Sequence, residues 1–180
     1  MDCIKHYDFN KIDWSLDEIE KLDFKFIPTY KINPSFDSYH HSRYEGVIGN
    51  DVYFLPNPMP SFVDEILSLS IFDKYQIKTP GFHRLQPGMI LPLHKDPYQS
   101  FKKRHVIFDT DNIHRYIIFM QDHLPGHYIQ VENEMYMHYT KGCYVKWKGN
   151  TSHAAFNLGT ENRYTLQITC YENNNTSFKE

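Results

Sequence analysis

Leu93-His94-Lys95-Asp96 sets an imidazole and a carboxylate two positions apart, and Ser152-His153 and Arg163 add a second imidazole and a guanidinium far downstream. Two histidines and one carboxylate form a ligand set that leaves coordination positions open on a divalent ion, Fe(II) above all. The spacing suits an extended segment. On a strand, residues i and i+2 share a face, so His94 and Asp96 point the same way while Lys95 faces solvent. Pro97 then stops the strand by removing a ladder donor.

His-x-Asp alone is weak evidence. With 11 His and 13 Asp in 180 residues, chance gives about 0.8 such pairs. The chain holds another, His6-Tyr7-Asp8, read as surface polarity near a terminus. Candidates for the second histidine are His105, His114, His123, His127, His138 and His153, and two of them have an arginine ten residues later: His105 with Arg115, and His153 with Arg163. His105 sits in the polar stretch just after Asp96, too near in sequence. His153 lies 59 residues past His94, across several strands, where a sandwich brings the two together. If the strand opened by Arg163 pairs beside the one carrying His153, the guanidinium stands in the mouth of the sandwich. A buried guanidinium needs an anion, and a dicarboxylate meets it in bidentate geometry.

Plainer roles stay open for each residue. His94 could be a core imidazole bonded to backbone, and Arg163 could pair with Glu132. Arg115 could form a surface pair with Asp109 or Asp111. Asn157 either orients a ligand or shapes the turn before Gly159. Lys102-Lys103-Arg104 is either a solvated run or a greeting for an anionic substrate. His40 and His41, being adjacent, cannot both face one site on a regular strand.

These side chains are positioned by a β-rich second half. From Gly81 on, short aromatic or β-branched runs alternate with turn residues. The predicted strands are 82–86, 91–94, 115–121, 128–132, 135–139, 143–147, 152–157 and 164–171. Eight short strands without a helix-length gap imply an antiparallel sandwich or jelly roll. Residues 97–112 read as a long loop rather than a helix, of the kind that serves as a lid. Before Gly81, Ser15 with Glu18 and Ser61 with Asp64 fit capping boxes that open two short helices. Between those helices, the five prolines Pro28, Pro34, Pro56, Pro58 and Pro60 make extended edge segments and turns. The expected organisation is an N-terminal extension over 1–80, a β core over 81–171 and a flexible tail over 172–180.

Composition supports this. The chain is 41% hydrophobic and 16% aromatic, which favours strands over a helical bundle. Its net charge of -3 shows no basic excess for a phosphate backbone, which speaks against nucleic acid. Cys3, Cys143 and Cys170 are odd in number and widely spaced, so neither a disulfide framework nor a zinc knuckle is indicated. No apolar run has the length of a signal peptide core or a membrane span. A cytoplasmic protein is expected; its oligomeric state is not legible.

With His94-Lys95-Asp96, His153 and Arg163 in this order, the chain resembles the Fe(II)/2-oxoglutarate-dependent oxygenases over residues 81–171. Pro87-Gly88 before His94 is similar to the entry of prolyl-hydroxylase-like members. His153-Ala154-Ala155-Phe156-Asn157 followed by Arg163 is similar to the aspartyl/asparaginyl β-hydroxylase branch. That branch usually carries a smaller residue where Asp96 stands, so Asp96 favours a full triad. The resemblance implies a double-stranded β-helix core of the jelly-roll or cupin-like kind, with Fe(II) held by His94, Asp96 and His153. It implies 2-oxoglutarate anchored through its C5 carboxylate by Arg163, with Arg115 a second residue near cosubstrate or substrate. It implies O2 as co-reactant, succinate and CO2 as products, and a hydroxylated amino-acid or peptidyl substrate. The alternatives are a cupin-like metal-binding or structural domain without 2-oxoglutarate turnover, and a cupin metalloenzyme that needs no 2-oxoglutarate.

Overall fold

A computed structural model describes residues 8–39 and 42–172. His6-Tyr7-Asp8, His40-His41 and the tail after 172 therefore fall wholly or partly outside the described residues. Among the described residues ten strands form two antiparallel sheets: β1 (Lys25–Ile27), β2 (Asn50–Phe54), β3 (Ile77–Leu85), β4 (Ile90–His94), β5 (Ile113–Phe119), β6 (His127–Val131), β7 (Glu134–Tyr136), β8 (Tyr144–Lys148), β9 (His153–Asn157) and β10 (Arg163–Tyr171). One sheet has the order β1-β2-β3-β10-β5-β8 and the other β4-β9-β6-β7. From β3 onward, successive strands cross between the sheets, apart from the β6–β7 hairpin within the smaller one, which is the double-stranded β-helix. All eight strands expected from Gly81 onward are present.

The alternation of side chains along each strand divides the large sheet into two chemically different faces. On β10, Tyr164, Leu166, Ile168 and Cys170 join the main hydrophobic core, as do Tyr116 and Ile118 of β5 and Phe82 of β3. The alternate residues Arg163, Thr165, Gln167 and Thr169 line cavities between the sheets. A shift of one residue in register would put the charged set into the apolar core, so the pattern fixes the pairing.

The outer face is roofed by the N-terminal residues. Helix α1 (Leu16–Glu20) contributes Ile19, helix α3 (Ser61–Leu67) contributes Phe62, Val63 and Ile66, and Phe9, Trp14 and Phe72 fill the gaps between them. Each such side chain, fully buried, stabilises the fold by roughly 1.5–3 kcal/mol. Neither expected capping box forms. Ser15 precedes α1 and Pro60 precedes α3, and no side chain caps either helix. Burial of one apolar face carries both helices instead.

Residues 25–54 do more than make edges and turns. β2 is an interior strand, paired with β3 on one side and β1 on the other. A short helix, α2 (Thr29–Ile32), and a 3₁₀ segment, Pro34–Tyr39, follow β1. Residues 97–112 also depart from expectation, because α4 (Gln99–His105) is helical. It lies between Tyr98 and Val106, both left-handed, with φ of 51° and 55°. No residue of α4 is buried, so no apolar stripe marks it in the sequence. Cys143 and Cys170 are buried free thiols. Among the described residues no helix is long and apolar enough to cross a membrane.

Candidate metal centre

His94 ends β4 and His153 opens β9, and the two strands pair so that these residues stand directly opposite each other. Their rings lie 4.3 Å apart between centroids. Asp96, two residues beyond the end of β4, brings its carboxylate between them. Oδ1 is 3.6 Å from Nε2 of His94, and Oδ2 is 3.6 Å from Nε2 of His153. One ligand atom from each of the three residues falls within 4.8 Å of the others. Two ligand atoms about 2.1 Å from a shared ion and at right angles would lie about 3 Å apart, so the observed spacing is near what a metal requires. The three residues expected from sequence are thus together.

Their tautomers are set by backbone. Nδ1 of His94 donates to the carbonyl of Pro92 at 2.7 Å, and Nδ1 of His153 to that of Thr151 at 3.0 Å. With the proton held there, each Nε2 presents a lone pair to Asp96 and to any cation placed among the three. Both rings are clamped. Phe36 packs on His94 at 4.7 Å and Trp147 on His153 at 4.6 Å. Burial pushes the His153 imidazole down to about 4, against the pull of Asp96. It is therefore neutral, as a metal ligand must be. Burial opposes the charge on Asp96, yet the Arg115 guanidinium holds its carboxyl below the usual carboxylate range.

Arg115 is not at the surface and does not pair with Asp109 or Asp111. It is buried, donates from Nη2 to Oδ2 of Asp96 at 2.8 Å and from Nη1 to Thr169 Oγ1 at 2.6 Å, and lies over the ring of Tyr98. Arg163 departs from expectation in its sheet. β10 pairs with β3 and β5, not with the strand of His153, so Arg163 faces the histidines across the sandwich. It is 3% exposed, and its Nε and Nη2 have no hydrogen-bond partner among the described residues. Glu132 does not reach it. An inner cavity of about 120 Å³ joins Arg163 to His94, Asp96, Arg115 and His153, between the apolar walls of Leu91, Ile117 and Ile129. Two buried guanidinium groups share this cavity with one carboxylate, so the cavity is short of negative charge.

Asn157 belongs to the turn. Its Nδ2 donates to Leu85 O and Glu161 O, and its Oδ1 accepts from Gly159 N. Of the basic run on α4, only Arg104 reaches a cavity wall, while Lys102 bonds Thr110. His105 is within 3.4 Å of Thr79, outside the triad.

Some residues of the site carried no sequence signal. Asn33 donates to the Lys95 carbonyl at 3.0 Å, and Ser35 approaches the same carbonyl at 3.4 Å, so the segment after α2 steadies the backbone between His94 and Asp96. His83, hydrogen-bonded to Asn50, lines both cavities, and burial together with Arg115 lowers it to about 3. Trp147 was legible. In Tyr144-Val145-Lys146-Trp147-Lys148, the lysines alternate with Val145 and Trp147, which therefore face inward.

No protein-family model matches the chain, and neither does any curated protein. Solved structures do. A predicted oxalate decarboxylase from Thermotoga maritima aligns with a TM-score of 0.47 and 10% identity over 84% of this chain and 95% of its own. A putative sugar phosphate isomerase from Acidithiobacillus ferrooxidans gives 0.46 and 13% over 89% and 76%. The cupin domain of Cnp3 from Schizosaccharomyces pombe gives 0.42 and 10% over 68% and 61%. The strand order given above makes this chain a double-stranded β-helix, with a cluster of His94, Asp96 and His153 that could hold a metal ion.

Proposed function

We propose that this protein is an Fe(II)- and 2-oxoglutarate-dependent dioxygenase that hydroxylates a bound organic substrate. Metal binding is the broader half of the proposal and rests on the two oriented Nε2 atoms and the carboxylate between them. The narrower half rests on one observation: Arg163 is a buried guanidinium with unpaired donors in the cavity that the triad opens onto. Burying such a charge without a partner costs several kcal/mol, and a ligand carboxylate removes that cost.

When bound, Fe(II) with 2-oxoglutarate and O2 supplies oxidative decarboxylation to succinate and CO2 coupled to hydroxylation. The residues of this chain do the rest. His94, Asp96 and His153 would hold the ion on one side and leave the inner cavity free for the cosubstrate. Arg163 would fix the far carboxylate. Leu91, Ile117 and Ile129 keep water from the space between. Arg115 holds Asp96 in place through Oδ2. The setting we propose is the reducing cytoplasm, where the thiols of Cys143 and Cys170 persist.

A second reading is a metal-binding cupin-like domain without 2-oxoglutarate turnover. The Arg115–Asp96 pair favours it, because Asp96 is already neutralised without any ligand. Succinate release from 2-oxoglutarate by the iron-loaded protein separates the two. Release that needs His153 supports the dioxygenase; stoichiometric iron without release leaves the second reading.

A further inference from the structure

Beside the metal centre lies a larger cavity of about 520 Å³, which shares Asp96, Arg115, Asn50 and His83 with the inner one. Its floor is the inner face of the large sheet. Arg115 on β5, Gln167 and Thr169 on β10, Gly81 on β3, Val52 on β2 and Ile27 on β1 follow one another across it. Five neighbouring strands are four spacings of about 4.8 Å, so the groove runs roughly 19 Å from Arg115 to the edge. Its roof is made by α2 on one side and by Pro97, Tyr98 and α4 on the other. The volume lies in the range of sites that enclose a whole organic ligand.

The groove is chemically lopsided. Near the metal centre it is polar. Toward β1 it is walled by Ile27, Ile32, Val52 and Phe54, and Pro80 of β3 and Phe101 of α4 add apolar surface to the lining. Ile32 and Phe54 are 61% and 45% exposed, an apolar wall left open to water. Gly81, in the middle of the floor, adds no side chain. Most polar groups of the lining are already spent within the protein. Asn33 donates to Lys95, Asn50 is bonded to Thr29 and His83, Thr169 accepts from Arg115, and Thr79 faces His105. Every floor strand except the edge strand β1 is paired on both sides, so their backbone offers little to the amides of a peptide. Arg104 is the exception. It stands on the lining without a carboxylate partner among the described residues, while the charge of Arg115 is met by Asp96.

We infer that this groove takes an extended, mainly hydrocarbon ligand bearing one anionic group, with the chain against Ile32 and Phe54 and the anion at Arg104. This deepens the dioxygenase reading, and rests on it, in that the same ligand would be the substrate, with part of its chain passing Asp96. Binding itself needs neither iron nor 2-oxoglutarate.

Calorimetric titration of the metal-free full chain with decanoate and with decanol tests it. Decanoate should bind one per chain, about two- to fivefold tighter than decanol, as one exposed charge contact allows. Arg104→Ala should bring decanoate to the affinity of decanol and leave decanol unchanged. Ile32→Asp, at an exposed position, should weaken both. No binding of decanoate, or binding that neither substitution alters, would overturn the inference. If decanoate binds while succinate release is absent, the groove assignment stands and the dioxygenase reading fails. If succinate is released while decanoate does not bind, the reverse holds.

Discussion

Arg115 and Asp96 meet at 2.8 Å through the oxygen of Asp96 that also faces Nε2 of His153. One carboxylate therefore serves two masters, a buried guanidinium and the two-histidine centre. Arg115 is bound in turn to Thr169 of β10, so the large sheet fixes the position of a carboxylate that follows β4 of the small one.

Arg115→Met should leave Asp96 charged and without its partner. Breaking a buried pair from one side costs about 3–5 kcal/mol. A divalent cation at the triad can replace the lost guanidinium charge. Urea unfolding with and without Mn(II) should thus show a larger metal-induced gain for the variant than for the parent protein. Equal gains would mean that Asp96 does not reach the metal.

Arg163→Met should behave in the opposite way. Its guanidinium is buried with unpaired donors, so replacing it with an apolar chain of similar length removes a cost rather than a support. The metal-free variant should melt at or above the parent temperature, with a gain of about 2–4 °C for each kcal/mol. Its 2-oxoglutarate requirement should rise sharply. A lower melting temperature would assign Arg163 a structural pairing instead.

Acid should destabilise the metal-free protein through its neutral buried histidines. Burial holds His114 at about 4 and His83 at about 3, below the ordinary value of 6.5. The unfolded chain binds those protons first, so stability is full above about pH 6.5 and falls as pH drops toward 4. Each group contributes a slope of about 1.4 kcal/mol per pH unit within its window. Urea midpoints between pH 7 and pH 4.5 should fall, and His114→Gln should make the decline shallower. Parallel profiles for the variant and the parent would contradict this.

The sequence was most readable where a residue's neighbours along the chain decide its role. The eight later strands announce themselves by alternation and turn residues, and His94, His153 and Arg163 sit at strand ends that alternation alone locates. Distant partners were opaque. Nothing near Arg115 indicates Asp96 over the closer Asp109, and nothing near Asn33 indicates the carbonyl of Lys95. Helix α4 is hidden in the sequence because Gln99-Ser100-Phe101-Lys102-Lys103-Arg104-His105 has no buried stripe, and β2 because Pro56, Pro58 and Pro60 just beyond it read as turns. The sheet that carries Arg163 is not legible locally, because strand order depends on crossovers that local patterns do not encode.

Anaerobic titration of the Fe(II)-loaded protein with 2-oxoglutarate tests the central claim most directly. The result expected is a weak visible charge-transfer band that saturates at one cosubstrate per chain. His153→Ala should lose it with the iron, and Arg163→Met should need far more 2-oxoglutarate to develop it. Fully iron-loaded protein that gives no band at saturating 2-oxoglutarate would contradict the assignment.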